Sequence, residues 1–248
     1  MPDTIKLRIK RQEGPGKEAY WESYSIPYRP NMNVISALME IQINPVTAEG
    51  KKTTAPVWDA ACLEEVCGSC SMRINGKPRQ ACTALIDQLE QPITLEPFSK
   101  FPVIRDLMVD RSRMFEALKR VHAWNPLDGT YHLGEGPLVD QDTQGVMYQF
   151  SRCMTCGCCL EACPQVSETS PFIGAAAIGQ AYLFNMQPSG KRLAKERLEA
   201  LMGPGGVADC GNAQNCVRVC PKEIPLTTAI ADMGRQLTWY SITSFFRR

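Results

Sequence analysis

Eleven of the twelve cysteines in this 248-residue chain obey spacings that leave little freedom in what the chain can fold around. Cys153, Cys156, Cys159 and Cys163, followed by Pro164, spell C-x2-C-x2-C-x3-C-P. Steps of 3, 3 and 4 residues from Cys210 point to positions 213, 216 and 220. Cys216 and Cys220-Pro221 are there, but position 213 is Ala213. The two runs form an approximate internal repeat with one sulfur missing. Upstream, Cys62, Cys67 and Cys70 form C-x4-C-x2-C, and Cys82 follows.

The amino-terminal segment MPDTIKLRIKRQEG alternates Ile5, Leu7 and Ile9 with polar residues, which predicts a first strand and not a signal peptide. A cytoplasmic setting is expected, where structural disulfides do not persist and twelve cysteines point to metal or redox chemistry. With two histidines, His122 and His132, the chain is poorly supplied for Cys/His zinc sites, a Rieske centre or bis-His haem. A net charge of +1 and 21% charged residues supply no basic surface for nucleic acid. The longest nearly apolar run, 172–184, is interrupted by Gln180 and falls short of the ~20 residues that span a bilayer. Membrane contact is therefore expected to be peripheral or through a partner.

Cys62, Cys67, Cys70 and Cys82 match the plant-type ligand set of a 2Fe-2S cluster, in which a tight loop supplies three thiolates and a strand the fourth. A four-cysteine zinc site is the alternative, but zinc ribbons favour two separated C-x2-C knuckles over one long loop. In the bacterial ferredoxin run the fourth cysteine ligates the other cluster. Exchange between the two runs gives a 4Fe-4S cluster on Cys153, Cys156, Cys159 and Cys220. It leaves Cys163, Cys210 and Cys216 for a second site with three thiolates, whose most economical occupant is a 3Fe-4S cluster. The competing reading keeps a fourth iron open to substrate, as in a hydro-lyase or radical enzyme, yet such enzymes do not need two further clusters. Cys158 lies off the ladder and is expected to be a buried bystander.

The cysteine-free stretch between Cys82 and Cys153 divides the chain. The fold class expected is α+β: a β-grasp 2Fe-2S domain over 1–104 and an all-helical ferredoxin domain over 105–248. In the first, strands are predicted at 4–10, 20–28, 71–74, 77–82 and 93–96, with a helix over 33–42. Asn75-Gly76 makes the hairpin turn. A helix over 105–121 carries Leu107, Met114, Leu118 and Val121 on one face. Residues 122–145, rich in Gly, Pro and Asp, read equally as an ordered surface loop or as part of a docking surface. Further helices are predicted near 146–152, 172–184, 190–202 and 226–240. That at 190–202 sets Leu193, Leu198 and Leu201 against charged neighbours and is stopped by Gly203-Pro204-Gly205-Gly206.

The segments ACLEEVCGSCSMRINGKPRQACTALI, CMTCGCCLEACP and CGNAQNCVRVCPKEIP resemble the iron–sulfur subunit of succinate dehydrogenase and fumarate reductase, over nearly the whole chain. The resemblance implies a cluster order of 2Fe-2S, 4Fe-4S and 3Fe-4S and a subunit of succinate dehydrogenase (quinone) in respiratory complex II. It implies an FAD flavoprotein partner that oxidises succinate, so no catalytic residue for succinate is expected on this chain. It also implies a membrane anchor carrying haem b, and a place on the cytoplasmic face of the plasma membrane. Ubiquinone-linked members carry a tryptophan pair after the shared Cys-Pro and a histidine after the first cysteine of the last group. Here those stretches read Pro164-Gln165-Val166-Ser167 and Cys210-Gly211. The chain is thus more similar to the menaquinone-linked type of Gram-positive bacteria, with Pro164 and Gly211 the candidate quinone vicinity. At the end of the chain Trp239, Tyr240, Phe245 and Phe246 before Arg247-Arg248 suit either contact with the anchor or a frayed tail. The same clusters would serve fumarate reduction. A free soluble ferredoxin is the rival of a different class.

Overall fold

The computed structural model describes residues 4–126 and 138–246. They group into two compact units. One comprises residues up to Arg111 together with Met154–Glu161, and the other Ser112–Cys153 with Ala162 onward.

The first unit is a mixed five-stranded sheet in the order β2-β1-β5-β3-β4. β1 (Thr4–Arg11) pairs antiparallel with β2 (Tyr20–Pro27) and parallel with β5 (Ile93–Glu96). β3 (Ser71–Ile74) pairs antiparallel with β4 (Lys77–Gln80) and with β5. Strict alternation in β1 turns Ile5, Leu7 and Ile9 inward, where they meet Val34, Leu38 and Ile41 of helix α1 (Val34–Ile43). Asn33 caps that helix by accepting from the Ser36 N–H at 2.8 Å. The β3–β4 turn places both Asn75 (φ 48°) and Gly76 (φ 76°) in the left-handed region that a two-residue hairpin requires. This is the β-grasp arrangement, and the expected α+β class holds.

The expected helix over 105–121 is corrected. A short ribbon, β6 (Val103–Arg105) with β7 (Met108–Val109), occupies its first turn, and helix α2 begins only at Ser112 (Ser112–Arg120). The cause is Asp106, which turns the chain at φ 48° and buries its carboxylate. That carboxylate accepts the Gln12 N–H at 3.0 Å, the Val57 N–H at 2.9 Å and the Arg11 Nε–H at 2.9 Å. Arg11, equally buried, also pairs with Glu22 and donates to the Tyr24 hydroxyl at 2.9 Å. Leu107, assigned by its spacing to a helix face, packs in the sheet core instead.

The second unit is helical: α2, α3 (Gln141–Ser151), α5 (Ala175–Met186), α6 (Ala194–Met202), α7 (Asn215–Arg218) and α8 (Leu226–Phe245). The short α4 (Cys158–Glu161) belongs to the first. α3 starts ahead of the predicted 146 because Asp140 caps it, accepting from the Thr143 N–H at 2.9 Å. Part of the 122–145 stretch lies outside the described residues, as do His132 and Arg247-Arg248. α6 buries Leu201, but its most buried side chain is Arg197. That guanidinium donates to the carbonyls of His122, Trp124 and Gly190 and to Asn185 Oδ1. Burial lowers its pKa, the charge of Glu196 opposes that, and the four oxygens take up its hydrogen bonds.

Candidate metal centres

The loop from Cys62 to Cys70 is curled by three residues in the left-handed region, Leu63 (φ 60°), Glu65 (φ 54°) and Gly68 (φ 74°). This curl turns backbone N–H groups toward sulfur. Those of Glu64, Val66 and Cys67 point at Cys62 Sγ from 3.4, 3.3 and 3.3 Å, and that of Ser69 points at Cys67 Sγ from 3.4 Å. Such donors favour the thiolate over the thiol. Cys67 is accordingly drawn down to about 6, chiefly by the Ser69 side chain and, after burial opposing it, by the N–H groups of Cys62 and Ser69. Cys82 is pushed up to about 11 by burial and by its hydrogen bond with Cys70. The four thiols thus form two couples, Cys62 with Cys67 and Cys70 with Cys82. A rhombic two-iron centre takes two thiolates on each iron, so the donor set fits it.

The loop is held in place by residues that spacing alone does not single out. Arg111 donates to the carbonyls of Gly68 and Ser69. The Ser71 hydroxyl also donates to the Gly68 carbonyl, at 2.7 Å. Gln80, fully buried at the end of β4, meets Ser71 Oγ at 2.8 Å, Cys70 Sγ at 3.5 Å and Cys158 Sγ at 3.7 Å. The strand expected over 77–82 ends at Gln80, so Cys82 comes from the bend that follows it, and spacing gave no signal for Gln80.

In the second cysteine run, Thr155 (φ 51°) and Gly157 (φ 88°) wrap the chain around Cys156, Cys158 and Cys159, all buried. Cys156 is lowered to about 7, first by a hydrogen bond from Cys158. Cys158 is raised by that same bond and by burial. The far end of the run is anchored by Glu161, whose carboxylate accepts the Ser99 N–H at 3.0 Å and the Lys100 N–H at 3.2 Å. These residues all belong to the first unit. Cys153 and Cys220 belong to the second, where Arg152 donates to the Lys222 carbonyl at 2.7 Å and Cys220 Sγ accepts the Ile224 N–H at 3.5 Å.

Cys163, Cys210 and Cys216 come together in the second unit: Cys216 is raised first by burial and then by the charges of the other two. Asn215 ties this site to the first of them by donating to the Ala162 carbonyl at 2.9 Å. Ala213, the ladder position without sulfur, lies exposed between Asn212 (φ 51°) and Gln214 (φ 60°). A three-thiolate centre with one open corner fits this set. Gly211 packs against Gln165, whose Nε2 lies 2.5 Å from where a Cβ on Gly211 would sit, so the Pro164-Gln165 and Cys210-Gly211 stretches adjoin. Among the described residues no disulfide forms, and no group of three or more His, Cys, Asp or Glu side chains is arranged around a single-ion position.

A β-grasp unit with a curled thiol loop and a helical unit, with two further cysteine runs in the chain, define a two-part ferredoxin-type electron carrier. Residues 6–116 match the 2Fe-2S iron-sulfur cluster binding domain, and residues 149–224 match the 4Fe-4S dicluster domain. The chain is 59% identical to the succinate dehydrogenase iron-sulfur subunit of Bacillus subtilis, over 98% of this chain and 96% of that one. It is 30% identical to the fumarate reductase iron-sulfur subunit of Wolinella succinogenes, over 94% and 96%. Its fold is similar to a chain of the Mycobacterium smegmatis Sdh1 complex in the apo form, with a TM-score of 0.78 over 96% of both chains at 23% identity. The chain belongs to the family of iron–sulfur subunits of succinate dehydrogenase and fumarate reductase. It is an electron-transfer subunit of a multi-subunit oxidoreductase, carrying 2Fe-2S and 4Fe-4S clusters in a family that carries a 3Fe-4S cluster as well. None of its described helices is long and apolar enough to cross a membrane.

Proposed function

We propose that this chain is the electron-transfer subunit of a membrane-bound succinate:quinone oxidoreductase that reduces menaquinone. When bound, its three clusters supply one-electron carriers between the flavin of a partner flavoprotein and the quinone. On this chain Cys62, Cys67, Cys70 and Cys82 hold the 2Fe-2S cluster. Cys153, Cys156, Cys159 and Cys220 hold the 4Fe-4S cluster, and Cys163, Cys210 and Cys216 the 3Fe-4S cluster. The observation that carries the reading is the third set, three neighbouring thiols with exposed Ala213 at the position of the missing fourth. Pro164, Gln165 and Gly211, exposed beside that set, are the residues proposed to meet the quinone.

The partners proposed are the FAD flavoprotein and a cytochrome b anchor holding the chain peripherally at the cytoplasmic face. The carboxy-terminal half of α8 supports the anchor contact, since Trp239 and Phe245 are largely exposed with Phe246 beyond them. Purification from detergent-solubilised membranes is expected to yield the chain together with a flavoprotein and haem. Low-temperature EPR of the oxidised complex is expected to show a three-iron signal. A lone soluble monomer, or a complex without that signal, would sink the reading. Comparing succinate-driven with quinol-driven rates in the same complex, against menaquinone and ubiquinone analogues, tests direction and quinone type.

Ala213→Cys restores the ladder and, with it, a fourth thiolate. The expected outcome is loss of the three-iron signal, a new 4Fe-4S signal and a lower reduction potential at that site, because added negative charge disfavours the reduced state. Slower quinone reduction should accompany the shift. An unchanged three-iron signal, in a variant with the cysteine shown to be unmodified, would count against the ladder.

A further inference from the structure

Gln80 joins the two ligand runs of the first unit. Its side chain is fully buried and touches three groups: Cys70 Sγ at 3.5 Å, Ser71 Oγ at 2.8 Å and Cys158 Sγ at 3.7 Å. Cys70 is a ligand in the proposed first cluster, and Cys158 is the chain neighbour of Cys159, a ligand in the second. Neither Gln80 nor Cys158 has a place in the ligand sets.

With Cys70 protonated, its S–H donates to Gln80 Oε1. Iron-bound Cys70 is a thiolate, and a carbonyl oxygen held against it is repelled. Turning the amide end over exchanges its oxygen and nitrogen while leaving the heavy-atom positions in place. Nε2–H then donates to Cys70 Sγ, and Oε1 accepts from the Ser71 hydroxyl, with Cys158 Sγ left in contact at 3.7 Å. Ser71 is free to redirect its proton, because the Gly68 carbonyl it serves keeps Arg111 as a donor. The Gln80 oxygen, the Ser71 hydroxyl and the Gly68 carbonyl thus remain partnered, as burial demands.

We infer that Gln80 is a positioning residue that donates a hydrogen bond to the Cys70 sulfur of the 2Fe-2S centre and packs against Cys158 in the neighbouring ligand run. The inference rests on the ligand assignment above. A donor on a cluster sulfur stabilises the more negative, reduced state, so Gln80 raises the potential of the first centre.

The test uses the purified complex. Gln80→Met keeps volume and removes the donor. The 2Fe-2S midpoint potential is expected to fall, with the other two potentials unmoved and iron content native. An unchanged 2Fe-2S potential at native iron content overturns the inference while leaving the ligand assignment intact. Absence of a 2Fe-2S signal in the wild type would overturn the assignment itself. Should Gln80→Met fail to load iron, the wild type decides: with 15N in glutamine side chains, pulsed EPR of the reduced 2Fe-2S centre is expected to show an amide nitrogen coupling. Its absence overturns the inference.

Discussion

Gly68→Ala is expected to remove most of the iron from both centres served by the first unit. Two effects add at this position. Gly68 sits at φ 74°, where a residue with a Cβ is strained by ~1–2 kcal/mol. In addition, a Cβ would stand 2.7 Å from the Met154 carbonyl oxygen and 2.9 Å from both Cα and Cβ of Cys156. Those neighbours are backbone atoms and the stem of a ligand, so no flexible side chain can yield. Either the Cys62–Cys70 loop or the Met154–Cys156 segment must leave its place. Iron and acid-labile sulfide in the purified complex, with EPR of each centre, measure the loss. A full complement of iron with native spectra would falsify the packing argument. Gly76→Ala is the control, since it shares the positive φ but has nothing within 4 Å, and should cost only about 1 kcal/mol with every centre intact.

Asp106→Ala should destabilise the first unit by about 3–5 kcal/mol, the usual cost of removing one member of a buried ion pair. It leaves Arg11 buried with Glu22 as its remaining carboxylate, and leaves the N–H groups of Gln12 and Val57 without their acceptor. The turn at φ 48° also passes to a residue that tolerates it less well than Asp or Asn. Because Arg111, five residues further on, secures the Gly68 and Ser69 carbonyls, the 2Fe-2S loop should loosen before the rest of the unit. Thermal bleaching of the visible cluster absorbance in the complex is expected at a clearly lower temperature. Asp106→Asn, which keeps an acceptor and the turn, should lie between variant and wild type. Equal midpoints for all three proteins would remove Asp106 from this role.

The features legible in sequence were those written as short-range pattern. The alternation of Ile5, Leu7 and Ile9, the Asn75-Gly76 turn and the bounds of β5 are local properties, and the structure reproduces them. What escaped was set by contacts between residues far apart in the chain. Asp106 reads as one polar residue in a helical spacing, and only its partners at 11, 12 and 57 make it a buried turn. Arg197 reads as the charged face of an amphipathic helix, yet four oxygens from residues 122, 124, 185 and 190 draw it inside. At the proposed metal sites the candidate ligands are visible in the spacing. Gln80, Arg111 and Glu161, which hold the loops, are ordinary polar residues until their neighbours are known.

The first unit is not contiguous in sequence, because Met154–Glu161 completes it after a detour through the helices of the second. This sets an order on biogenesis. Domains generally fold as they emerge, at ~5–20 residues per second during synthesis. Here the sheet and the Cys62–Cys70 loop leave the ribosome well before the segment that packs against Gly68. The thiol loop therefore spends seconds with that side uncovered, and residue 161 must be made before Glu161 can reach the N–H groups of Ser99 and Lys100. A nascent chain whose residue 111 has just cleared the ribosome would present the strands of the sheet with a metal loop still open to whatever delivers iron and sulfide.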